Sequence, residues 1–349
     1  MSCRQQTLSG YLRLIGATAI AAAAVVIWTG ATLGGVAMAG CNGRDLIAAL
    51  PQAERAELTR MADAVPFARG NLWRATRGQQ VIHLVGTYHF TDSRHDATLA
   101  RIEPLLDTAT VLLVEAGPDE ERLLATELAQ RPDFMFLTNG PTLPEILPEA
   151  DWQAVIAAMR ARGVPAFLAS KFRPWYMAMM LNLPPCAMPD IQRGAKGLDH
   201  MLIASATRRG VPVRALEPFD TLFSIFGTLS MAEEIDMIGA ALHLADRAED
   251  MTATLANAYF AGQSRLIWEF TLMQARSAPG MSEAEIARQF ALTEDVLMTA
   301  RNKAWVPVLL AAAEQGDVLA AFGALHLPGH EGVLALLQAE GFVVNPLKN

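Results

Sequence analysis

Apolar residues in this chain form two kinds of run: short β-branched stretches stopped by a glycine or a carboxylate, and longer stretches with helical spacing between them. Leu46, Ile47, Leu50 and Leu58 are spaced as on a helix across 42–70, with an interruption at Pro51. Leu72–Ala75 is a short strand candidate, a turn follows at Arg77-Gly78-Gln79, and Val81–Val85 reads as a strand stopped by Gly86. Thr91-Asp92-Ser93 offers caps for a helical run over 94–108, and Val111–Val114 is the next strand, closed by Glu115. Strand, helix and strand at this spacing make a βαβ unit, so these two strands are expected to be parallel, and we place them side by side.

Further short strands are expected at Val164–Ala169 and Val211–Leu216, each after a helical run and a glycine, Gly163 or Gly210. Residues 220–315 are rich in Met and Leu and have no strong break except Pro279-Gly280. They read as a large helical insertion. Val318–Phe322, stopped by Gly323, a helix over 330–339 and Phe342–Val344 complete the pattern. The expected class is α/β: a mixed, mainly parallel sheet flanked by helices, in one domain over 42–349.

The first 41 residues do not fit that pattern. Arg4 and Arg13 flank a polar start, the chain then carries no charge through Ala39, and it closes on Val36-Ala37-Met38-Ala39-Gly40-Cys41. Ala37-x-Ala39 suits a secretory signal cleavage site, whereas the length of the apolar run suits a retained membrane anchor. Met38-Ala39-Gly40-Cys41 also approaches a lipoprotein box. Export to a periplasmic or extracellular setting is expected under each reading, with membrane association under two of them. With Cys3 in the leader, Cys41 and Cys186 remain. In an oxidising compartment they invite a disulfide, which lipidation of Cys41 would exclude. The formal charge of −8, with no long Lys/Arg run, argues against nucleic acid as a partner.

Candidate chemistry sits where strands end. Gly86-Thr87-Tyr88-His89 follows one apolar strand and Gly323-Ala324-Leu325-His326 follows another. Ligands of open α/β sheets bind at the carboxyl ends of strands, so two copies of one strand–Gly-x-x-His grammar suggest two half-sites joined by a sheet. Glu115 adds a carboxylate at the same edge. Two imidazoles and a carboxylate are the composition of a divalent metal site (Mn, Co or Zn), in which bound water becomes a nucleophile near neutral pH. Glu217 closes another strand and is a candidate ligand or general base. Asp199 is a further carboxylate, and Arg301-Asn302, in helical context, could orient a substrate carbonyl or hold a carboxylate.

Taken in order, Gly86–His89, the Leu113-Val114-Glu115 strand end, Gly197-Leu198-Asp199, Arg301-Asn302 and Gly323–Gly329 resemble the TraB/GumN family over roughly residues 70–347. That family is similar to the TIKI proteins, membrane-anchored metal-dependent proteases. The resemblance implies a metal-site role for His89, Glu115 and His326, with Arg301 and Asn302 as supporting polar groups. It does not by itself imply a reaction.

The remaining candidates read as structural. His95 belongs in the first turn of a helix, His330 on the surface, His83 in a strand, and His200 and His243 lack a partner pattern. Met177, Met179, Met180 and Met188, with Phe172-Arg173-Pro174-Trp175-Tyr176, read first as packing. The leading expectation is an exported metal-dependent hydrolase that acts on a peptide or small molecule. The alternative is an envelope protein that binds such a ligand without turnover.

Overall fold

The computed structural model of the protein describes residues 41–195, 197–277 and 282–347. The expected leader therefore lies outside the described residues apart from Cys41, as does the Pro279-Gly280 break. Six strands form one sheet: β1 (Leu72–Arg77), β2 (Gln80–Thr87), β3 (Val111–Val114), β4 (Val213–Ala215), β5 (Val318–Gly323) and β6 (Val343–Pro346). Their order is β4-β3-β5-β2-β1-β6. β2, β5, β3 and β4 run parallel to one another, whereas β1 runs antiparallel to both β2 and β6. The sheet is thus mixed and mainly parallel, as the spacing of apolar runs implied.

One detail of that expectation is corrected: β3 does not lie beside β2. The late strand β5 is inserted between them, pairing Leu84 with Ala320 on one side and Leu113 with Ala320 on the other. A central parallel strand must be apolar on both faces. Val318 through Phe322 meets that demand, and all five residues are buried.

Side chains alternate across the sheet. Ile82, Leu84, Leu113, Val318, Ala320 and Phe322 point to one face, where Trp305 and Leu309 of helix 300–313 and Leu334 and Leu337 of helix 333–339 cover them. Val85, Leu112, Val114, Leu319 and Ala321 point to the other, under Ile102, Leu198, Leu202 and Ala206. Each of these leucines, fully buried, contributes roughly 1.5–3 kcal/mol relative to exposure.

Two other elements depart from expectation. Val164–Ala169 is no strand, because Pro165 holds φ −67° and ψ 145° at the entry to a single helical turn, Ala166–Ala169. Only Val164 there is β-branched, which is too little to favour a strand. Pro51 divides the segment 42–70, and the helix begins after it, at Gln52–Asp63. Between β4 and β5 the chain forms helices from Thr221 to Ala313, interrupted by residues outside the described set. Trp175, Tyr176, Met177 and Met179 pack with Trp152, Val155, Met237 and Ile238 in a second, all-helical core. Cys41 and Cys186 form a disulfide with Cα atoms 5.4 Å apart, fastening the start of the described chain to the turn Pro185–Ala187. While this bridge stands, Cys41 has no thiol to carry a lipid. Among the described residues, no helix is long and apolar enough to cross a membrane.

Candidate functional site

Because β5 sits between β2 and β3, the carboxyl ends of all three strands meet. Gly86 lies within β2 rather than stopping it. A Cβ there would come within 2.7 Å of Leu327 Cδ1 and 2.9 Å of Ala324 Cα. Only glycine lets the turn carrying His326 pack this closely on the strand that leads to His89. Gly197 serves His89 similarly, since a Cβ would lie 2.3 Å from Tyr88 O. The start of helix Leu198–Arg209 thereby docks on the His89 segment, and Leu198 N donates to Tyr88 O at 3.2 Å.

His89, Glu115, Arg301, Gly323 and His326 line one cavity of about 90 Å³. The space above Gly323 is common to three of them. A Cβ built there would lie 3.2 Å from Glu115 Oε1, 3.5 Å from His89 Nε2 and 3.6 Å from His326 Cδ2. Gly323 N donates to Glu115 Oε1 at 2.6 Å, which fixes that carboxylate at the sheet edge.

Arg301 lies at the centre. Its Nε and Nη2 donate to Glu217 at 2.8 and 2.6 Å, a bidentate pair. Nη2 also donates to Glu115 Oε2 at 2.6 Å, and Nη1 reaches Leu297 O at 3.2 Å. The arginine side chain is only 8% exposed, so these charges pair with little help from water. Trp305 Nε1 donates to Glu217 Oε2 at 3.0 Å, so both oxygens of Glu217 are engaged. Glu217 thus holds the arginine in place.

Each imidazole is held through its Nδ1. Asn302 Nδ2 donates to Glu331 O at 2.8 Å, which turns its Oδ1 toward His326 Nδ1 at 2.6 Å. An amide oxygen only accepts, so Nδ1 carries the proton and Nε2 keeps its lone pair. That Nε2 lies 3.3 Å from Arg301 Nη1. Burial, and then the adjacent guanidinium, hold the His326 imidazole down to about 3. His89 Nδ1 lies 3.2 Å from Asp199 Oδ1. Burial opposes its charge, but the Asp199 and Glu115 carboxylates outweigh that effect and raise it to about 9. Glu115 is likewise buried, yet Arg301 and the two histidines bring it down to about 2. Glu217 is raised, because burial outweighs its pairing with Arg301.

Two residues escaped the sequence reading. Asp199 Oδ2 lies 3.2 Å from His200 Nδ1, and His200 Nε2 lies 2.7 Å from Glu121 Oε1. The chain His89–Asp199–His200–Glu121 therefore continues away from the cavity. The available signal was Asp199-His200 in the first turn of the helix that follows Gly197, where a carboxylate is favoured. A second cavity of about 90 Å³ borders Glu121, Asp199, His200 and Glu217, and a third of about 320 Å³ borders the disulfide; His89 lines both. His95 sits in a first helical turn with Nε2 at 2.9 Å from Phe90 O, and His330 is exposed.

A sequence model of the TraB/PrgY/gumN family matches residues 71–346. The chain belongs to the TraB/PrgY/gumN family. The match spans every strand of the sheet and His89, Glu115, Asp199, Glu217, Arg301, Asn302 and His326. No curated protein gives a significant match.

A divalent ion is the cofactor that the family resemblance implies, and the donor set can be tested against it. Its composition is suitable. Its arrangement is not, since among the described residues no three His, Cys, Asp or Glu side chains are placed to hold a metal. Glu115 has one oxygen on Gly323 N and the other on Arg301, and His326 Nε2 faces the same guanidinium. The cation that these groups hold is Arg301.

Proposed function

We propose that this TraB/PrgY/gumN protein is an exported hydrolase whose acid–base groups are His89 and His326 and whose fixed cation is Arg301. The observation that carries the reading is the pair of imidazoles in one cavity, both held through Nδ1, with protonation states pushed in opposite directions. Environments that separate two such groups assign an acid and a base. At neutral pH His89 keeps its proton and His326 does not.

In this reading a substrate carbonyl lies over Gly323 against Arg301. The carbonyl oxygen takes over Arg301 Nη1 from His326 Nε2, 3.3 Å away in the free site; water then adds to the carbonyl carbon, forming the new C–O bond, and gives one proton to the freed Nε2. The bond to the leaving nitrogen or oxygen then breaks as His89 protonates that atom. His326 is a weak base, so stabilising the developing oxyanion falls mainly to Arg301, a preorganised charge in a poorly hydrated site. Glu217, Glu115 and Trp305 keep the guanidinium there, Asp199 keeps His89 charged, and Asn302 sets the tautomer of His326. Export is supported by the disulfide, a bond that persists in oxidising compartments.

The test is release of chromophore from ester and anilide substrates by the purified protein, its His89→Ala and His326→Ala variants, and samples treated with a chelator. The reading expects turnover that survives the chelator and falls at least 100-fold in either variant. Saturable binding with no turnover of any substrate would replace it with a sequestering role.

A metal-dependent centre is the second reading, favoured by the anchoring of both Nδ1 atoms on Asp199 and Asn302. Metal-bound histidines are commonly oriented that way. It requires Arg301 to leave Glu115 and His326. Stoichiometric Mn, Co or Zn in the purified protein, with activity lost to a chelator and restored by the ion, would establish it.

A further inference from the structure

The cavity has a polar end at the sheet and an apolar end made elsewhere. Leu255, Ile267, Leu297 and Met298, all from the helices between β4 and β5, line it along with the histidines and Leu325. Leu297 and Met298 belong to a π-helical turn, Asp295–Thr299, immediately before Arg301. Such turns are rare and gather at functional sites, because the extra residue shifts the side chains that follow. Here the turn sets two apolar side chains against the cavity and supplies the Leu297 carbonyl that receives Arg301 Nη1.

Three hydroxyls on residues of the same lining, Thr87 Oγ1, Tyr88 Oη and Ser264 Oγ, are buried and have no hydrogen-bond partner among the described residues. Thr87 and Ser264 are 3% and 5% exposed. Buried polar groups are nearly always satisfied, so unpaired hydroxyls on residues of the lining are compatible with a ligand that supplies their partner. A largely apolar lining with a few convergent polar groups is the usual make-up of a small-ligand site.

We propose that the cavity selects an ester or amide with a short aliphatic acyl group. The acyl chain packs against Met298, Ile267 and Leu325, the carbonyl meets the histidines and Arg301, and Ser264 and Thr87 contact polar atoms beside it. This deepens the hydrolytic reading and rests on it only for turnover; the binding preference stands on the cavity itself. A cavity of about 150 Å³ accepts benzene, and a water occupies about 30 Å³. The space of about 90 Å³ therefore suits an acyl group smaller than benzene, on the order of three to five carbons by the same comparison. The helices between β4 and β5 act as the selectivity wall, and the sheet edge holds the reacting groups.

The experiment measures binding of primary carboxamides from acetamide to octanamide by calorimetry, alongside turnover of p-nitrophenyl esters and p-nitroanilides with the same acyl chains. Affinity is expected to rise about fourfold per methylene while the chain is being buried, to peak near butanamide or pentanamide, and to fall for longer chains. Met298→Ala and Leu325→Ala alter half-buried positions and should move the optimum to longer chains, with circular dichroism confirming the fold. Ser264→Ala should weaken every member of the series by a similar factor. Affinity that is absent, independent of chain length, or unmoved by both enlarging variants overturns the proposal. A length preference in binding with no turnover of any ester or anilide leaves the proposal standing and removes the hydrolytic reading.

Discussion

Replacing Arg301 with methionine tests whether the guanidinium is the keystone of the site. The variant keeps most of the side chain's apolar stem but leaves Glu115 and Glu217 with no cation. Both carboxylates are mostly buried, with 17% and 11% of their side chains exposed, so water can restore little. Breaking a buried ion pair from one side typically costs about 3–5 kcal/mol. In a domain of about 300 residues that lowers the melting temperature by roughly 5–8 °C. The pH dependence is more diagnostic. In the intact protein Glu115 is held down to about 2. Its contribution is therefore complete above the ordinary carboxylate value and is lost only as pH falls through about 2. Without Arg301, both carboxylates gain from protonation, so the deficit at pH 7 should shrink markedly by pH 4.5. Adding Glu217→Gln to the variant should recover part of the loss at pH 7 and little at pH 4.5. Urea unfolding at the two pH values, by linear extrapolation, measures all of this. A loss below about 1 kcal/mol at pH 7, or the same loss at both pH values, would refute the reasoning.

Gly323→Ala should abolish ligand binding and turnover with little change in stability. The residue has φ −49°, which alanine accepts, while the new methyl occupies the space between Glu115 and His89; retained activity in a folded variant would place the reaction elsewhere. Cys186→Ser removes a crosslink between residues 145 apart, which in the chain-entropy view lowers stability by about 5 kcal/mol; matched unfolding curves with and without reductant would contradict this. Asp199→Asn should lower the His89 imidazole from about 9 toward its ordinary value, read from its NMR titration. The raised value in the parent means that His89 contributes stability fully below about 6.5 and loses it as pH rises through about 9. In the proposed mechanism turnover falls over that same upper range, as His89 gives up its proton. A rate that instead climbs to a plateau above pH 9 would reverse its assignment from acid to base.

Much of this site was readable because each strand end announces itself locally. An apolar run followed by Gly-x-x-His, or closed by Glu115, places a side chain at the sheet edge whatever the neighbours are. The neighbours themselves were not readable. β5 lies between β2 and β3 because its small, uniformly apolar residues tolerate cover on both faces, a fact of packing rather than of local pattern. Arg301 illustrates the same limit. The sequence placed it in a helix with Asn302, but its pairing with two carboxylates from different strands depends on the finished sheet. His200 and Glu121 were missed because they meet across 79 residues of chain, and Val164–Ala169 was misread because Pro165 outweighed a single valine.

The position of β5 also governs when the site can assemble. β5 and the histidine beyond it follow β2, β3 and Arg301 along the chain. Until they arrive, β2 and β3 have no common partner and Arg301 has no finished edge against which to place its charge. Contacts of such long range form slowly. A chain in which β5 has not yet joined thus carries His89 and Glu115 without the surroundings that give them their charge states.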